Sequence, residues 1–548
     1  MFSRIRTGVC WGIKAHMIWV EVDISPGLPT IHMVGSLSGE VREAKDRVWA
    51  ALKNMGIAIP AAHITVNLSP ADIRKEGTAL DLPIAVGVLE ALELIAPGEN
   101  DDCLFLGELG LNGEIKNVKG VLPIVQEAKE NGVMHCILPN GNWKEGALVP
   151  GISCEGFSHL GELIEYLQIP KEDRKEAKRQ ECEQGKAYSI ERAQDSRIDL
   201  ENEENTNFEN EIIIKTSQND KTQIKEIKYE DDDFIFVSGQ EEAKRAALIA
   251  AAGFHNLLMV GPPGAGKSMI AKRIPGILPK LDREESLEIT KIMSVSGLLK
   301  EHMQLIQRRP FQSPHHSISI SALTGGGIIP KPGVLSLAHK GVLFLDELPE
   351  FQRNVIDSLR QPLEDREVHI GRLNGNVTYP ADAMLVCAMN PCPCGYYPDR
   401  NKCRCSDEMI KRYMGRVSGP ILDRIDLCVE LHAVDINELQ EKRKGMNSAQ
   451  MLKMVNKARQ KQKDRFVGTG YRFNSEIKEP DMERFCYLGE KEKACMRKLH
   501  DSLQFSARVY YRILKVARTM ADLEGEERIL ERHLYEAAYF RPSQEYWV

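Results

Sequence analysis

The residues best placed to do chemistry are Gly261-Pro262-Pro263-Gly264-Ala265-Gly266-Lys267-Ser268, which fit G-x-x-x-x-G-K-[ST]. Glycines let a backbone curl so that its N–H groups face phosphate oxygens. The N-terminus of a following helix adds partial positive charge. In this pattern Lys267 reaches the β and γ phosphates and Ser268 ligates magnesium. The context agrees: Leu257 to Val260 reads as the incoming strand, and Met269-Ile270-Ala271-Lys272 opens a helix. ATP and magnesium are the expected ligands. A second strand, Val342-Leu343-Phe344-Leu345, runs into Asp346-Glu347. Carboxylates at the C-terminal end of such a strand lie where open α/β sheets bind ligands. Asp346 would organise the magnesium, and Glu347 would activate the attacking water. A third strand, Leu385 to Met389, ends in Asn390, an amide suited to positioning that water or sensing the γ phosphate.

Cys392, Cys394, Cys403 and Cys405 give C-x-C, eight residues, C-x-C. Four thiols this close suit tetrahedral zinc. The spacing is less diagnostic than two C-x-x-C knuckles, so unligated thiols or a redox pair stay open as alternatives. His315 and His316 also offer metal-binding nitrogens, but a hydrogen-bonding or polymer-facing role fits them better.

These residues need several folded units to hold them. The chain has 548 residues, 72 basic and 79 acidic, a net of −7. That length predicts three or four domains. Residues 171–233 alone hold 12 basic and 19 acidic residues, so the remainder is balanced. Binding an anionic polymer therefore requires a local basic surface. The 13 cysteines are odd in number and scattered, against a secreted disulfide framework. No run of about 20 apolar residues predicts a membrane span, and Met1 to Asp23 lacks a signal-peptide pattern. The expected location is cytoplasmic.

The predicted organisation is multidomain α/β and α+β. Residues 1–168 form an α+β unit, with strands at Met17–Val22 and Ile64–Leu68 and helices at Gly39–Met55 and Pro83–Leu94. Residues 169–232 are a charged linker, too poor in apolar residues to form a core. Residues 233–433 form an α/β core, and residues 434–548 are mainly helical. Lys442, Arg443, Lys444, Lys453, Lys457, Arg459, Lys461, Lys463 and Arg465 make a basic run. Arg308, Arg309, Lys331 and Lys340, around Thr324-Gly325-Gly326-Gly327, read as a flexible basic loop. Val368 to Tyr379 reads as a β-hairpin turning at Asn374-Gly375.

The phosphate loop, Asp346-Glu347, Asn390 and Ser418-Gly419-Pro420-Ile421-Leu422-Asp423-Arg424-Ile425-Asp426 resemble AAA+ ATPases of the magnesium-chelatase-like branch. More narrowly, Gly239 to Arg245, Gly253-Phe254-His255-Asn256, Ser313-Pro314-His315-His316 and Gly341 to Phe351 resemble the YifB/ComM family. The likeness implies a homo-hexameric ring with ATP sites between subunits. Arg424 would be the arginine finger, and Arg508 the lid's sensor arginine, with Arg512 one turn away as its substitute. The hairpin would face the pore, making Arg372 a DNA-contact candidate. Implied partners are single-stranded or branched DNA and recombination proteins, and the implied activity is branch migration during recombination or uptake of transforming DNA.

Asn67 to Asp81 and Gly107 to Ile115 resemble Lon-type protease domains, of the ribosomal S5 domain 2-like fold. A working site of that type needs a serine and a lysine. Alignment puts Ala79 and Leu122 at those positions, so the resemblance implies an inactive protease fold. A Lon-like protease is disfavoured for that reason. The remaining alternatives are a chelatase-like ATPase remodelling a partner protein and a nucleotide-gated scaffold, the latter opposed by Glu347.

Overall fold

The computed structural model describes residues 1–171, 173–174, 233–299, 305–327, 330–372, 375–434 and 445–541. Nearly all of the 169–232 linker, Lys442, Arg443, Lys444, the hairpin tip and the Arg372 side chain lie outside the described residues.

Seven strands open the chain: β1 (Phe2–Trp11), β2 (Lys14–Pro26), β3 (Thr30–Val34), β4 (Ala62–Ser69), β5 (Cys103–Phe105), β6 (His135–Pro139) and β7 (Ser153–Phe157). They form one sheet in the order β3-β4-β2-β1-β5-β6-β7. Buried and half-buried positions alternate along β4, so Ile64, Val66 and Leu68 face the core. Four helices cover the sheet: α1 (Ala44–Asn54), α2 (Asp81–Ala91), α3 (Val121–Glu130) and α4 (Leu160–Gln168). α2 is buried throughout, matching its apolar sequence on all sides. It shares a core with α1, α4 and β1, β2 and β4, while α3 packs a second core against β5 and β6. The helix expected over 39–55 is divided, with a separate turn at Gly39–Arg42 capped by Ser38.

The central unit contains β8 (Leu257–Val260), β9 (Phe311–Gln312), β10 (Val342–Leu345), β11 (Glu367–Arg372), β12 (Gly375–Pro380), β13 (Met384–Met389) and β14 (Leu427–Glu430). Five of these make a parallel sheet in the order β9-β10-β13-β8-β14. Every residue of β8, β10 and β13 is buried. That is the pattern of parallel strands covered on both faces. Helices of this unit include α5 (Glu241–Gly253), α6 (Lys267–Ile277), α7 (Arg283–Ser296), α8 (Ile320–Thr324) and α9 (Asp407–Met414). The C-terminal region is helical, with α10 (Ser448–Arg465), α11 (Glu490–Leu503), α12 (Ala507–Glu524) and α13 (Glu531–Tyr539). Ile513, Val516, Ala517 and Met520 of α12 join Met451, Val455 and Ala458 of α10 in a core that also includes α5.

β11 and β12 form the expected hairpin, with the pairing two residues from the expected register. Arg372 pairs with Gly375 instead of Val377. The observed ladder sets Val368 opposite Tyr379 and Ile370 opposite Val377. A turn at Asn374-Gly375 would keep Ile370 opposite an apolar partner, Tyr379, but set Val377 opposite Arg372; the observed register gives Val377 an apolar partner.

The basic loop needs correcting. Arg309 is buried and donates to the carbonyls of Pro279 and Lys340 and to Glu285. Lys340 is buried against Asp382 at 2.7 Å. Cations withdrawn from water need such internal partners, so neither offers its charge to a polymer.

The N-terminal sheet unit is docked on the central unit at two places. The Gly120 N–H donates to the Ser294 carbonyl at 3.2 Å, and Ser294 Oγ donates to Glu145. The Trp11 indole N–H donates to the Asn376 carbonyl on β12 at 3.4 Å, with Gly12 packed against Val377.

Candidate functional site

β8, β10 and β13 run parallel, so their C-terminal ends meet at one edge of the sheet. The residues that follow them are Gly261, Asp346 and Asn390. Parallel pairing thus brings together three sequence segments more than 40 positions apart. Gly264 and Gly266 take φ of +77° and +90°, conformations that L side chains rarely adopt. Lys267 Nζ donates to the carbonyls of Gly261 and Pro262 at 2.6 and 2.9 Å and to Asn390 Oδ1 at 3.0 Å. Burial pushes the Lys267 ammonium below the ordinary lysine range, opposed by Asp346 and Glu347. A polyphosphate would add negative charge beside this ammonium.

Ser268 Oγ donates to Asp346 Oδ2 at 2.6 Å. The two oxygens are the hard donors a magnesium ion takes, so these residues fit the ion. Glu347 follows at φ +52°, with its side chain 60% exposed. His316 Nδ1 lies 3.5 Å from Glu347 Oε2. A cavity of about 550 Å³ opens beside Glu347 and Asn390. Its far wall is α9 and the residues after it, including Met409, Arg412, Tyr413 and Arg416. Arg416 also pairs with Glu350 at 3.2 Å. Nothing in the sequence pattern singled out Arg412 or Arg416; their part in this wall follows from the path of the chain after Cys405.

Arg424 lies in a turn after α9, engaged by its own chain. Its Nε donates to the Arg360 carbonyl at 3.0 Å, Nη1 to the Pro420 carbonyl at 2.7 Å, and Nη2 to Glu364. Asn256, just before β8, fixes this turn: its Nδ2 donates to the Arg424 carbonyl at 2.8 Å and its N–H to Asp426 at 3.1 Å. Arg508, at the start of α12, is 55% exposed and pairs with Asp423 at 3.0 Å. Arg512 is buried, donates to the Ile425 carbonyl at 2.7 Å and lies 3.7 Å from Asp423. Both lid arginines therefore converge on the residue preceding Arg424. Among the described residues, no hydrogen bond or ion pair joins them to the phosphate loop.

The four cysteines come together as a clip, their ligand atoms all within 4.8 Å of one another. Sγ separations are 3.4 Å for Cys392–Cys394, 3.7 Å for Cys392–Cys403 and 3.6 Å for Cys394–Cys403. Four sulfurs about 2.3 Å from a tetrahedral zinc would stand roughly 3.8 Å apart, so the donor set fits that metal. Burial opposes ionisation of Cys394, but the Tyr396 N–H, the Cys392 thiol and the Arg404 N–H outweigh it and bring the thiol down to about 6. The clip touches the nucleotide side directly: Gly395 packs on the Pro263 ring of the phosphate loop.

In the N-terminal unit, Ala79 is half-buried against the second core and Leu122 is buried in α3. Lys75 is buried and donates to the Pro70 carbonyl, whereas Lys119 lies against Gly297. No helix among the described residues is long and apolar enough to cross a membrane.

Comparison with known proteins agrees with this geometry. Residues 233–439 match the model for magnesium chelatase, subunit ChlI. Residues 20–142 match that for subunit ChlI of Mg-chelatase, and residues 445–541 the subunit's C-terminal model. The chain is 38% identical to the uncharacterized protein YifB of Escherichia coli (strain K12), over 98% of this chain and 97% of that one. It is 39% identical to competence protein ComM of Haemophilus influenzae, over 97% and 95%. It is 24% identical to the magnesium-chelatase 38 kDa subunit of Rhodobacter capsulatus, over 29% of this chain and 50% of that protein. With full-length relatives at this level and the nucleotide edge in place, the chain belongs to the YifB/ComM family of magnesium-chelatase-like AAA+ proteins.

Proposed function

We propose that this chain is an ATP-hydrolysing ring motor that acts on single-stranded or branched DNA, a ComM-like branch-migration helicase. The observation that carries the hydrolysis is the meeting of Lys267, Ser268, Asp346, Glu347 and Asn390 at one sheet edge. Bound phosphate would replace the Gly261 and Pro262 carbonyls as partners of Lys267. Magnesium, held by Ser268 and Asp346, would supply charge neutralisation at the phosphates. Glu347 accepts the proton of the attacking water, and Asn390 holds that water in line. The DNA half draws support from the similarity to a competence protein.

The same proposal includes a homo-hexamer in which Arg424 exchanges Glu364 for the neighbour's γ phosphate. Arg508, released from Asp423, is assigned as the lid sensor. Zinc is assigned to Cys392, Cys394, Cys403 and Cys405, holding Asn390 and α9 in register. Arg372 stays assigned as a DNA contact. The domains are proposed as 1–168, a Lon-like fold without protease activity, the linker at 169–232, the ATPase core at 233–433 and the lid at 434–548.

The test is ATP turnover of the purified protein with and without single-stranded, duplex and four-way-junction DNA, beside Glu347→Gln. Stimulation by DNA that disappears in the variant supports a DNA motor. Turnover indifferent to every DNA would shift the assignment to remodelling of a partner protein.

A further inference from the structure

Resting on the ATP-hydrolysis reading above, we propose that the cavity between Glu347 and α9 is a binding site for the inorganic phosphate that hydrolysis releases, with Arg412 and Tyr413 as its ligands. This cavity of about 550 Å³ is lined by Glu347 and Asn390 but by no residue of the phosphate loop. It therefore lies beside the seat of the nucleotide itself. A second cavity, of about 370 Å³, shares Glu350, Arg412 and Arg416 with it and adds Arg353. Three arginines thus gather along one pair of clefts, where walls of low dielectric focus their potential. Arg416 Nη1 donates to both oxygens of Glu350 at 3.2 Å, so that pair is neutral by itself. Arg412, four positions earlier, is exposed, and among the described residues no hydrogen bond or ion pair engages it. Tyr413 is only 6% exposed yet lines the inner cavity, and among the described residues no hydrogen bond engages its hydroxyl. Burial, then Glu350 and Glu347, push its phenol up to about 12, so at neutral pH it is a donor. An anion in the cavity would complete the bond that this enclosed hydroxyl leaves unmade.

Hydrolysis itself changes the charge of this cavity. The water oxygen bonds to the γ phosphorus, and the bond from that phosphorus to the bridging oxygen breaks, ADP keeping its electron pair. The proton of the water passes to Glu347. Before this step the lining carries Glu347 and Glu350 against Arg412 and Arg416, a balance of zero. Afterwards Glu347 is neutral, and the lining holds one surplus positive charge when free phosphate forms. The acid proton on Glu347 is then a further donor to the anion. Once Glu347 gives that proton up, its carboxylate repels the phosphate toward the outer cavity and Arg353.

The experiment titrates inorganic phosphate into the full chain with ADP bound, at fixed ionic strength, in a calorimeter. It compares wild type, Arg412→Ala, Arg412→Lys and Tyr413→Phe. Wild type should bind phosphate saturably. Arg412→Ala should weaken binding about fivefold, the upper range for an exposed ion pair. Tyr413→Phe should weaken it about threefold, as for one neutral hydrogen bond. Arg412→Lys, which keeps the charge, should stay within about twofold of wild type. No saturable binding by wild type, or wild-type affinity in Arg412→Ala, overturns the site. So does loss of phosphate binding when a non-hydrolysable ATP analogue replaces ADP, because the anion would then sit where the γ phosphate does. ATP turnover, measured alongside, separates this site from the reading it rests on. Arginine-dependent phosphate binding in a chain that does not hydrolyse ATP would sink the hydrolysis and leave the anion site standing. Hydrolysis with a phosphate affinity indifferent to Arg412 would do the reverse.

Discussion

Replacing Gly395 by alanine measures how firmly the cysteine clip holds the phosphate loop. A Cβ at this position would lie 2.4 Å from Pro263 Cδ and 2.9 Å from its Cγ, and Gly395 has φ +85°. Left-handed backbone costs an alanine about 1–2 kcal/mol, and overfilling a packed contact costs about 1–3 kcal/mol. The clip side of the contact is anchored by clustered sulfurs and by the Tyr397 N–H on Cys392 Sγ. The overlap is therefore relieved by moving Pro263, which lies between the two carbonyl-bearing residues and Lys267. Nucleotide binding bears that share of the cost, weakening ATP roughly tenfold to a hundredfold. Titration with a fluorescent ATP analogue reads the Kd, while metal analysis and thermal unfolding check that the clip and fold persist. A Kd within about twofold of wild type, with the metal content unchanged, would refute the coupling.

Glu347→Gln should keep ATP affinity while turnover falls about 10²–10⁴-fold, read by paired binding and phosphate-release assays. Cys403→Ser should lower metal per chain in elemental analysis and lower the melting temperature; equal metal content would favour free thiols. Asp382→Asn should destabilise the fold by about 3–5 kcal/mol in urea unfolding, because Lys340 and Arg366 lose a buried counter-charge. Burial alone would raise the Asp382 carboxyl, but Arg366 and Lys340 outweigh it and hold it below the ordinary aspartate value. Its contribution is thus fully present above the unfolded-state pKa and is lost as pH falls through the lower folded value, so wild type and Asp382→Asn should converge in stability in acid.

The nucleotide edge was legible because each of its residues follows a wholly apolar strand, and parallel pairing leaves such strands one place to end together. Ser268 and Asp346 meet as the pattern requires. The hairpin was legible as two strands, but not in register, since both registers pair Ile370 with an apolar residue and differ in whether Val377 faces Ile370 or Arg372. Burial was the hidden variable for Arg309 and Lys340. A cation in a polar-looking stretch gives no sign of the carboxylate that meets it from 24 or 42 positions away. Asn256 and His316 stood inside recognisable motifs, yet their partners, Asp426 and Glu347, lie just outside the ends of other strands. β1 escaped notice because polar Ser3 and Thr7 alternate with Ile5 and Val9 at its buried positions, while its pairing with β2 is specified from outside the segment.

The dock between Gly120 and Ser294 bears on how the chain is made. α3 is complete by residue 130, yet the helix that covers it, with Leu287 packed into its core, is not finished until residue 296. A ribosome releasing about 5–20 residues per second leaves that face uncovered for roughly 10–30 seconds. During that interval the nascent N-terminal unit lacks the partners that Ser294 and Leu287 bring to Gly120, Glu145 and the core of α3. A burst of translation pausing between residues 130 and 296 would lengthen the exposure, making codon choice in that stretch a determinant of soluble yield.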